Sequence, residues 1–240
     1  MNNNVPHEKT QGDLEKTVIL QQLMQTAFEA RDEQWRDSFL SVIDSAILKM
    51  SSQEIVIGKD GFPYLQVETV QPEEQFKAFV ISQELPTILQ QGLGIVINAQ
   101  EKHADWVFSY GDIVNLELND EFYTDDSIFS KQQANLSIQA DEQVLIGQPS
   151  DTILPKYLRT QLREFLHHFG LRHPKVMLIA RNYEDEATVT QDLVFNFTPQ
   201  DFPNRNSFDE VMRTLAWFLP RHYSFFCVDE KAINNGFELI

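Results

Sequence analysis

The runs Val176-Met177-Leu178-Ile179-Ala180 and Val189 to Phe197 decide the fold of this chain. The first run is continuously apolar, and in the second an apolar residue recurs at every second position from Leu193 onward. Both patterns are typical of β-strands. Glu184 to Ala187 lies between them and predicts a turn, so the two strands are expected to form an antiparallel hairpin.

Helices flank this hairpin in the sequence. Pro155 opens an amphipathic helix, and Gly170 supplies its C-terminal cap position. Ser207 is the predicted N-cap of another helix, with Glu210 completing a capping box. Tyr223 to Val228 predicts the last strand. The order helix, strand, strand, helix, strand predicts an α+β sandwich.

The first half of the chain begins with helical patterns. Asp13 is the predicted N-cap of a helix with apolar positions from Leu14 to Phe28, and a second apolar stripe runs from Trp35 to Ile47. Both stripes follow a period of about 3.6 residues. They predict two antiparallel helices or one bent helix.

A hairpin and several short elements are predicted next. Glu54 to Ile57 and Tyr64 to Thr69 have strand character, and the intervening Asp60-Gly61 suits a tight turn. Two helices are predicted next: a short one that Pro72-Glu73-Glu74 opens and that carries Phe76 and Phe79, and one from Leu85 to Gln90 that Gly92 closes. Three strands follow, at Gly94 to Asn98, Trp106 to Tyr110 and Ile113 to Leu118, and the last two are expected to pair.

A change in composition divides the chain. Residues 119–142 are acidic at Asn119 to Asp126 and polar at Lys131 to Asn135, which is typical of a linker. The polar first residues predict a flexible tail. We therefore expect a tail at 1–12, an N-terminal α+β module at 13–140 and a C-terminal α+β module at 141–240.

The chain is strongly acidic, with a formal net charge of −17. Such a field repels nucleic acid and anionic membranes, and it attracts a basic protein partner. It also keeps a protein soluble without any partner. The sequence predicts no signal peptide and no apolar run long enough to span a membrane, so a cytoplasmic location is expected.

Candidate catalytic and metal-binding motifs fail on spacing. Cys227 lies in an apolar run and predicts a buried thiol. His167, His168 and His173 lack ligand spacing, and the acids at Asn119 to Asp126 lack the order of a calcium loop. Gly92-Leu93-Gly94 precedes a strand rather than a helix, so it does not predict a dinucleotide site. We expect no cofactor, no metal and no enzymatic activity.

The most distinctive string contains three aromatic residues at alternate positions. On a strand, Trp106, Phe108 and Tyr110 share one face, while Val107 and Ser109 share the other. The aromatic face predicts either packing against a helix layer, which we favour, or an interaction surface. No Lys or Arg lies within the string, which argues against an oligonucleotide platform.

Several stretches of the chain resemble the SseB-like family, the enhanced serine sensitivity proteins of bacteria. In the N-terminal half they are Phe39-Leu40, Ser45 to Leu48, Asp60-Gly61, Gln75 to Phe79 and Gly92 to Ala99. In the C-terminal half they are Pro155 to Leu166, Pro174 to Arg181, Leu193 to Phe195, Phe208 to Phe218, Leu219 to Tyr223 and Val228-Asp229. The family's usual Asn-Pro is Asn98-Ala99 here. The resemblance implies two small α/β modules in a cytoplasmic protein with a regulatory or interaction role, and it supplies no catalytic residues.

Three functions follow from these observations as hypotheses. The first is a non-enzymatic protein that binds another protein; a basic partner fits the net charge, and a homo-oligomer is the alternative that stays open. The second is an immunity protein that neutralises a basic toxin, since opposite charge speeds association. The third is an enzyme with a cryptic site near Trp106 to Tyr110, which requires a deep pocket with convergent polar groups.

Overall fold

The computed structural model describes residues 12–71, 75–99, 103–131, 144–181, 189–233 and 235–240. The fold is α+β, as predicted, and the chain forms two compact units, 1–109 and 110–240. The predicted boundary at 140 therefore lies too late. Residues 110–131 belong to the second unit because Phe129 forms a parallel bridge with Gln191 and Ser130 bonds to Asp192.

Four predictions fall wholly or largely outside the described residues. They are the tail at 1–12, the helix start at Pro72-Glu73-Glu74, most of the polar half of the linker, and the turn at Glu184 to Ala187.

The first unit packs helices against a five-stranded mixed sheet. The strand order is β3-β1-β2-β4-β5, in which β2 and β4 run parallel and the other pairs are antiparallel. The elements are α1 (Leu14–Leu23), α2 (Glu33–Ile43), β1 (Leu48–Ile57), β2 (Pro63–Thr69), β3 (Ala78–Phe79), α3 (Ile81–Gln91), β4 (Gly94–Ile97) and β5 (Trp106–Phe108).

The predicted N-cap of α1 is confirmed, but the predicted apolar face of this helix is only partly buried. Asp13 caps α1 by accepting a hydrogen bond from the Lys16 amide. The apolar stripe predicted for α1 is wrong at Leu14, which is 67% exposed, and at Val18, which is 52% exposed, whereas Leu20 is buried. The helix also packs through Thr17, whose hydroxyl oxygen accepts the amide of Ile47 at 2.9 Å.

The second unit also contains a mixed five-stranded sheet. The order is β10-β7-β8-β9, with β6 on the same edge of β7 as β10, and β8 and β9 run parallel. The elements are α4 (Tyr110–Asn119), β6 (Leu145–Gly147), α5 (Lys156–His168), β7 (Lys175–Arg181), β8 (Thr190–Phe195), α6 (Arg205–Phe218), β9 (Phe225–Cys227) and β10 (Glu238–Leu239).

The hairpin that decides the fold is confirmed as β7 and β8, and Gly170 follows α5 with a φ of 88°. Two other predictions need correction. The N-cap of α6 is Asn204, which accepts from the Ser207 amide at 3.0 Å, so Ser207 lies inside the helix. The last strand is β10, which pairs with the start of β7.

Two predicted elements have the wrong type. Phe79 lies in β3, where it pairs with Leu48, instead of in a helix. Ile113 to Leu118 is part of helix α4, which Tyr110 begins. Because α4 is buried at every position from Tyr110 to Leu116, it has no polar face in its first two turns, and periodicity cannot distinguish such a helix from a strand.

Candidate functional site

One face of the first sheet carries a groove, and we call this face the outer face. Strand pairing places Val56 opposite Tyr64, Gln66 opposite Val96, and Val96 opposite Val107. Since side chains alternate along a strand, these five residues point to the same side of the sheet.

The opposite face is the core of the first unit. Phe39 of α2 lies with its ring 5.0 Å from Trp106 and 6.3 Å from Phe108, measured between centroids. Leu65, Ile95 and other alternate residues complete this apolar layer. Val67, Ile97 and Phe108 are completely buried in it. The helices therefore cover one side of the sheet, and the outer face does not contribute to that core.

The groove on the outer face has a volume of about 440 Å³. Its floor is the row of five residues that define the face, and Val107 is 42% exposed there. The walls are the β1–β2 turn at Ile57 to Asp60 and the segment with Ala99, His103 and Ala104. No described residue of α1, α2 or α3 lines it. The groove is thus open, mostly apolar, and built from strands and turns.

The turn that forms one wall is fixed by Asp60. Its carboxylate accepts the Tyr64 hydroxyl at 2.6 Å and the Phe62 amide at 3.1 Å. The Tyr64 ring also requires Gly94, because a Cβ there would lie 2.6 Å from the ring and from the Phe108 carbonyl oxygen. The floor and this wall are therefore held in one geometry before any ligand binds.

Asn98 fixes the start of the other wall. It has a φ of 49°, a conformation that Asn tolerates better than most residues. Its side-chain oxygen accepts the Thr69 amide at 2.8 Å, and its side-chain nitrogen donates to Asp105 at 2.7 Å. The guanidinium of Arg31 then bonds to Asp105 at 2.8 Å and lies 4.6 Å from the Trp35 ring.

The polar groups around the groove do not converge on one point. Asp60 is occupied by the turn, and Gln66 donates to the Ser51 hydroxyl at 3.1 Å. The ring of His103 contacts Phe28, with 5.9 Å between centroids. The lining residues that the structure describes include no Ser, Thr or Cys that His103 could activate. The arrangement suits the burial of apolar side chains.

The predicted aromatic surface is not formed. Phe108 and Tyr110 are completely buried, and Tyr110 is in a helix instead of on a strand. Trp106 and Phe108 pack against α2, which is the interpretation that the sequence favoured. The groove residue of this string is Val107, on the face that sequence reasoning set aside. The sequence signal that could have identified Val107 was an apolar residue between two aromatic residues that face the core.

Sequence reasoning also missed a buried polar cluster in the second unit. Asp192 is fully buried, and its Oδ1 accepts the hydroxyls of Ser130 and Ser224, each at 2.5 Å. Its Oδ2 accepts from Nε of Arg181 at 3.3 Å, and that guanidinium lies 5.5 Å from the Phe226 ring. The signal available in the sequence was an acidic residue, Asp192, within an otherwise apolar strand. Since every member is buried, we assign the cluster a structural role.

The other candidate residues lie apart from the groove. The described residues contain no group of three His, Cys, Asp or Glu side chains that could hold a metal ion. His167, His168 and His173 are exposed in the second unit. Burial raises the pKa of the Cys227 thiol, which opposes thiolate chemistry. None of these side chains contributes to the groove.

A polar cavity of about 870 Å³ lies on the second unit. Its acids include Asp201, Asp229 and Glu230. Lys175 bonds to Glu230 at 2.5 Å, and this contact lowers the pKa of Glu230. Asp201 accepts the Thr198 amide. Asp229 accepts the Lys231 amide at 3.0 Å. Since all three acids are engaged in local contacts, this cavity is a weaker candidate than the groove.

Comparison with known proteins gives no relative. No protein-family model, no curated protein and no solved structure matches this chain. Among the residues that the structure describes, no helix has the length and apolar character needed to cross a membrane.

Proposed function

We propose that this protein acts by binding another protein, through the groove on the outer face of its first unit, and catalyses no reaction itself. The groove is the observation that carries this proposal. It offers about 440 Å³ lined mainly by apolar side chains, with one exposed valine on its floor. Ligand sites are usually concave and apolar with a few polar groups at the margin.

The net charge of −17 indicates the class of partner. A protein with an excess of Lys and Arg would be attracted over several ångströms and would associate faster at low salt. The margin adds polar groups at Lys59 and His103, while the attraction for a basic partner comes from the charge of the chain as a whole. We therefore propose a basic protein as the partner and the cytoplasm as the place of binding.

Site-specific photocrosslinking in the source cells tests this proposal. A benzophenone amino acid at position 107 places the reactive group on the groove floor, and the same group at position 164 is the matched control on α5. We expect a crosslinked basic protein from position 107 only. Crosslinks of equal yield from both positions, or none from position 107, would contradict the proposal.

Binding of the purified partner then measures the contribution of the groove. Val107→Glu places a charge on the apolar floor and should weaken binding at least tenfold, whereas Glu164→Gln should leave it unchanged. Binding should also weaken as the salt concentration rises. An affinity that does not respond to Val107→Glu would place the binding surface elsewhere.

A further inference from the structure

The free edges of the two hairpins differ, although both hairpins are antiparallel. In the second unit, β10 covers the start of β7 at Lys175 and Val176, and β6 covers the end at Leu178 to Ala180. In the first unit, β3 covers the start of β1 at Leu48 and Lys49. No described residue pairs with the same edge at Ile55 to Ile57. Among its described residues, the first unit therefore has no counterpart of β6.

The backbone at this edge is oriented to accept another strand. The Gly58 amide donates to the Phe62 carbonyl at 2.8 Å, next to the turn. Because hydrogen-bonded and non-hydrogen-bonded pairs alternate along an antiparallel ladder, Val56 turns its amide toward β2. Ile55 and Ile57 then turn their amides outward. An added strand is held by main-chain hydrogen bonds to such outward groups.

The side chains at this edge do not protect it. Ile55 is 47% exposed and Ile57 is 68% exposed. Natural sheets usually protect an edge with charged residues or proline, because an apolar edge recruits other strands. The run Ile55-Val56-Ile57 contains neither.

A small cavity of about 190 Å³ lies beside this edge, and residues of β1, β3 and α3 line it. Its apolar lining includes Ile55, Leu65 and Ile88, and its acids are Glu54 and Glu84. Glu54 pairs with Lys77 at 3.1 Å, whereas Glu84 forms no ion pair with a described residue. The cavity is large enough for one apolar side chain, with a carboxylate nearby.

We propose that an extended basic segment of the partner protein adds to β1 at Ile55 to Ile57 as a further antiparallel strand. The model for its geometry is β6, whose Leu145-Ile146-Gly147 pairs antiparallel with the equivalent part of β7. One apolar side chain of the segment enters the cavity beside α3, and a neighbouring Lys or Arg faces Glu84. This inference rests on the proposed function and specifies how the partner is held.

Charge decides between a foreign segment and a second copy of this chain. Two copies would each carry a net charge of −17 and would repel each other on approach. A basic segment gains from the same field. The edge therefore fits a basic partner better than self-association.

Selection from a random dodecapeptide library displayed on phage tests this proposal with the full chain. We expect the selected peptides to contain Lys or Arg, to alternate apolar residues, and to lack proline at their centre. Hydrogen exchange of the Ile55 and Ile57 amides should be fast in the free protein and at least tenfold slower with a synthetic selected peptide. Slow exchange in the free protein would overturn the proposal, since the edge would already be occupied.

The decisive variant is Ile57→Pro, with Ile57→Thr as its matched control. Proline removes the outward amide but no bond to β2, so the sheet should persist, as circular dichroism can verify. Peptide affinity should fall about tenfold in Ile57→Pro and less than threefold in Ile57→Thr, because threonine keeps the amide. Glu84→Lys should weaken binding as well.

The outcomes separate this inference from the proposed function. If selected peptides bind and Val107→Glu removes their binding while Ile57→Pro does not, the groove is the site and the added strand is wrong. If selection on the wild-type protein enriches no peptide beyond those that the Glu84→Lys protein enriches, the added strand is wrong. The crosslinking experiment still decides the proposed function. If sedimentation shows a dimer that Ile57→Pro dissociates, the added strand comes from a second copy of this chain and not from a foreign segment.

Discussion

The two units share an order of elements but use the outer faces of their sheets differently. Each unit has an antiparallel hairpin, β1–β2 or β7–β8, and then a helix that leads to a parallel strand, β4 or β9. In the second unit, a further layer covers Met177, Ile179, Val194 and Phe226, and it consists of Val144, Val228, Ile233 and Phe237. In the first unit, the corresponding face of the sheet carries the groove.

This difference shows that strand order alone does not determine what a sheet face does. The second unit uses its outer face for stability, because the apolar residues of the sheet are buried there under other apolar side chains. The first unit has an open groove on its outer face, with Val107 exposed on the floor. Substitutions on the two faces should therefore change different properties, and this contrast can be tested.

The largest expected effect is at Asp192 in the covered face. Asp192→Ala removes the carboxylate that three buried side chains contact, so the free energy of unfolding should fall by about 3–5 kcal/mol. Urea denaturation of the second unit measures this change, with the exposed Asp151→Ala as the control. A loss below about 1 kcal/mol would show that the cluster is not a structural element.

A matched pair of valines compares the two faces directly. Val194 is completely buried in the second unit, and Val107 lies on the groove floor. We expect Val194→Ala to lower the free energy of unfolding by about 2 kcal/mol and Val107→Ala by less than about 0.5 kcal/mol. Equal losses in the urea experiment would mean that the groove face is also part of a core.

The N-cap of α6 should contribute a smaller amount. Asn204→Ala removes the acceptor of the Ser207 amide and should cost about 1 kcal/mol in thermal or urea unfolding. Ser207→Ala should change stability by only a few tenths of a kcal/mol. A larger loss for Ser207→Ala than for Asn204→Ala would indicate that Ser207 is the N-cap, as the sequence predicted.

The smallest effect is a pH dependence of the second unit. Burial lowers the pKa of His222, which contacts Phe129 and Tyr223, although Glu121 opposes this shift. A lowered pKa means that the unfolded chain binds the proton first, so stability should fall as the pH drops below about 6.5 and level off below the folded pKa. His222→Phe should flatten this part of the stability profile between pH 7 and pH 5. An unchanged profile would show that another group titrates there.

The sequence predicted those elements whose pattern is local. The β1–β2 turn follows from Asp60-Gly61, the caps of α1 and α5 follow from Asp13 and Gly170, and the β7–β8 hairpin follows from its apolar alternation. Each of these signals acts within a few residues of the element that it specifies.

The failures involve residues whose environment comes from distant parts of the chain. Asp112 in α4 accepts two hydrogen bonds from Arg221, and a Cβ at Gly111 would lie 2.0 Å from the Leu219 carbonyl oxygen. Neither contact leaves a local pattern, so α4 resembled a strand. The groove escaped prediction for the same reason, because it depends on which residues of four separate strands share a face.

The cluster at Asp192 also has a consequence for the order of folding. Its hydroxyl partners are 62 residues away at Ser130 and 32 residues away at Ser224, on opposite sides in the sequence. The chain must therefore close two long loops before the carboxylate is satisfied, and loop closure of this kind slows folding. Until both loops close, the Asp192 carboxylate lacks its two hydroxyl partners, so we expect the second unit to complete its sheet late in folding.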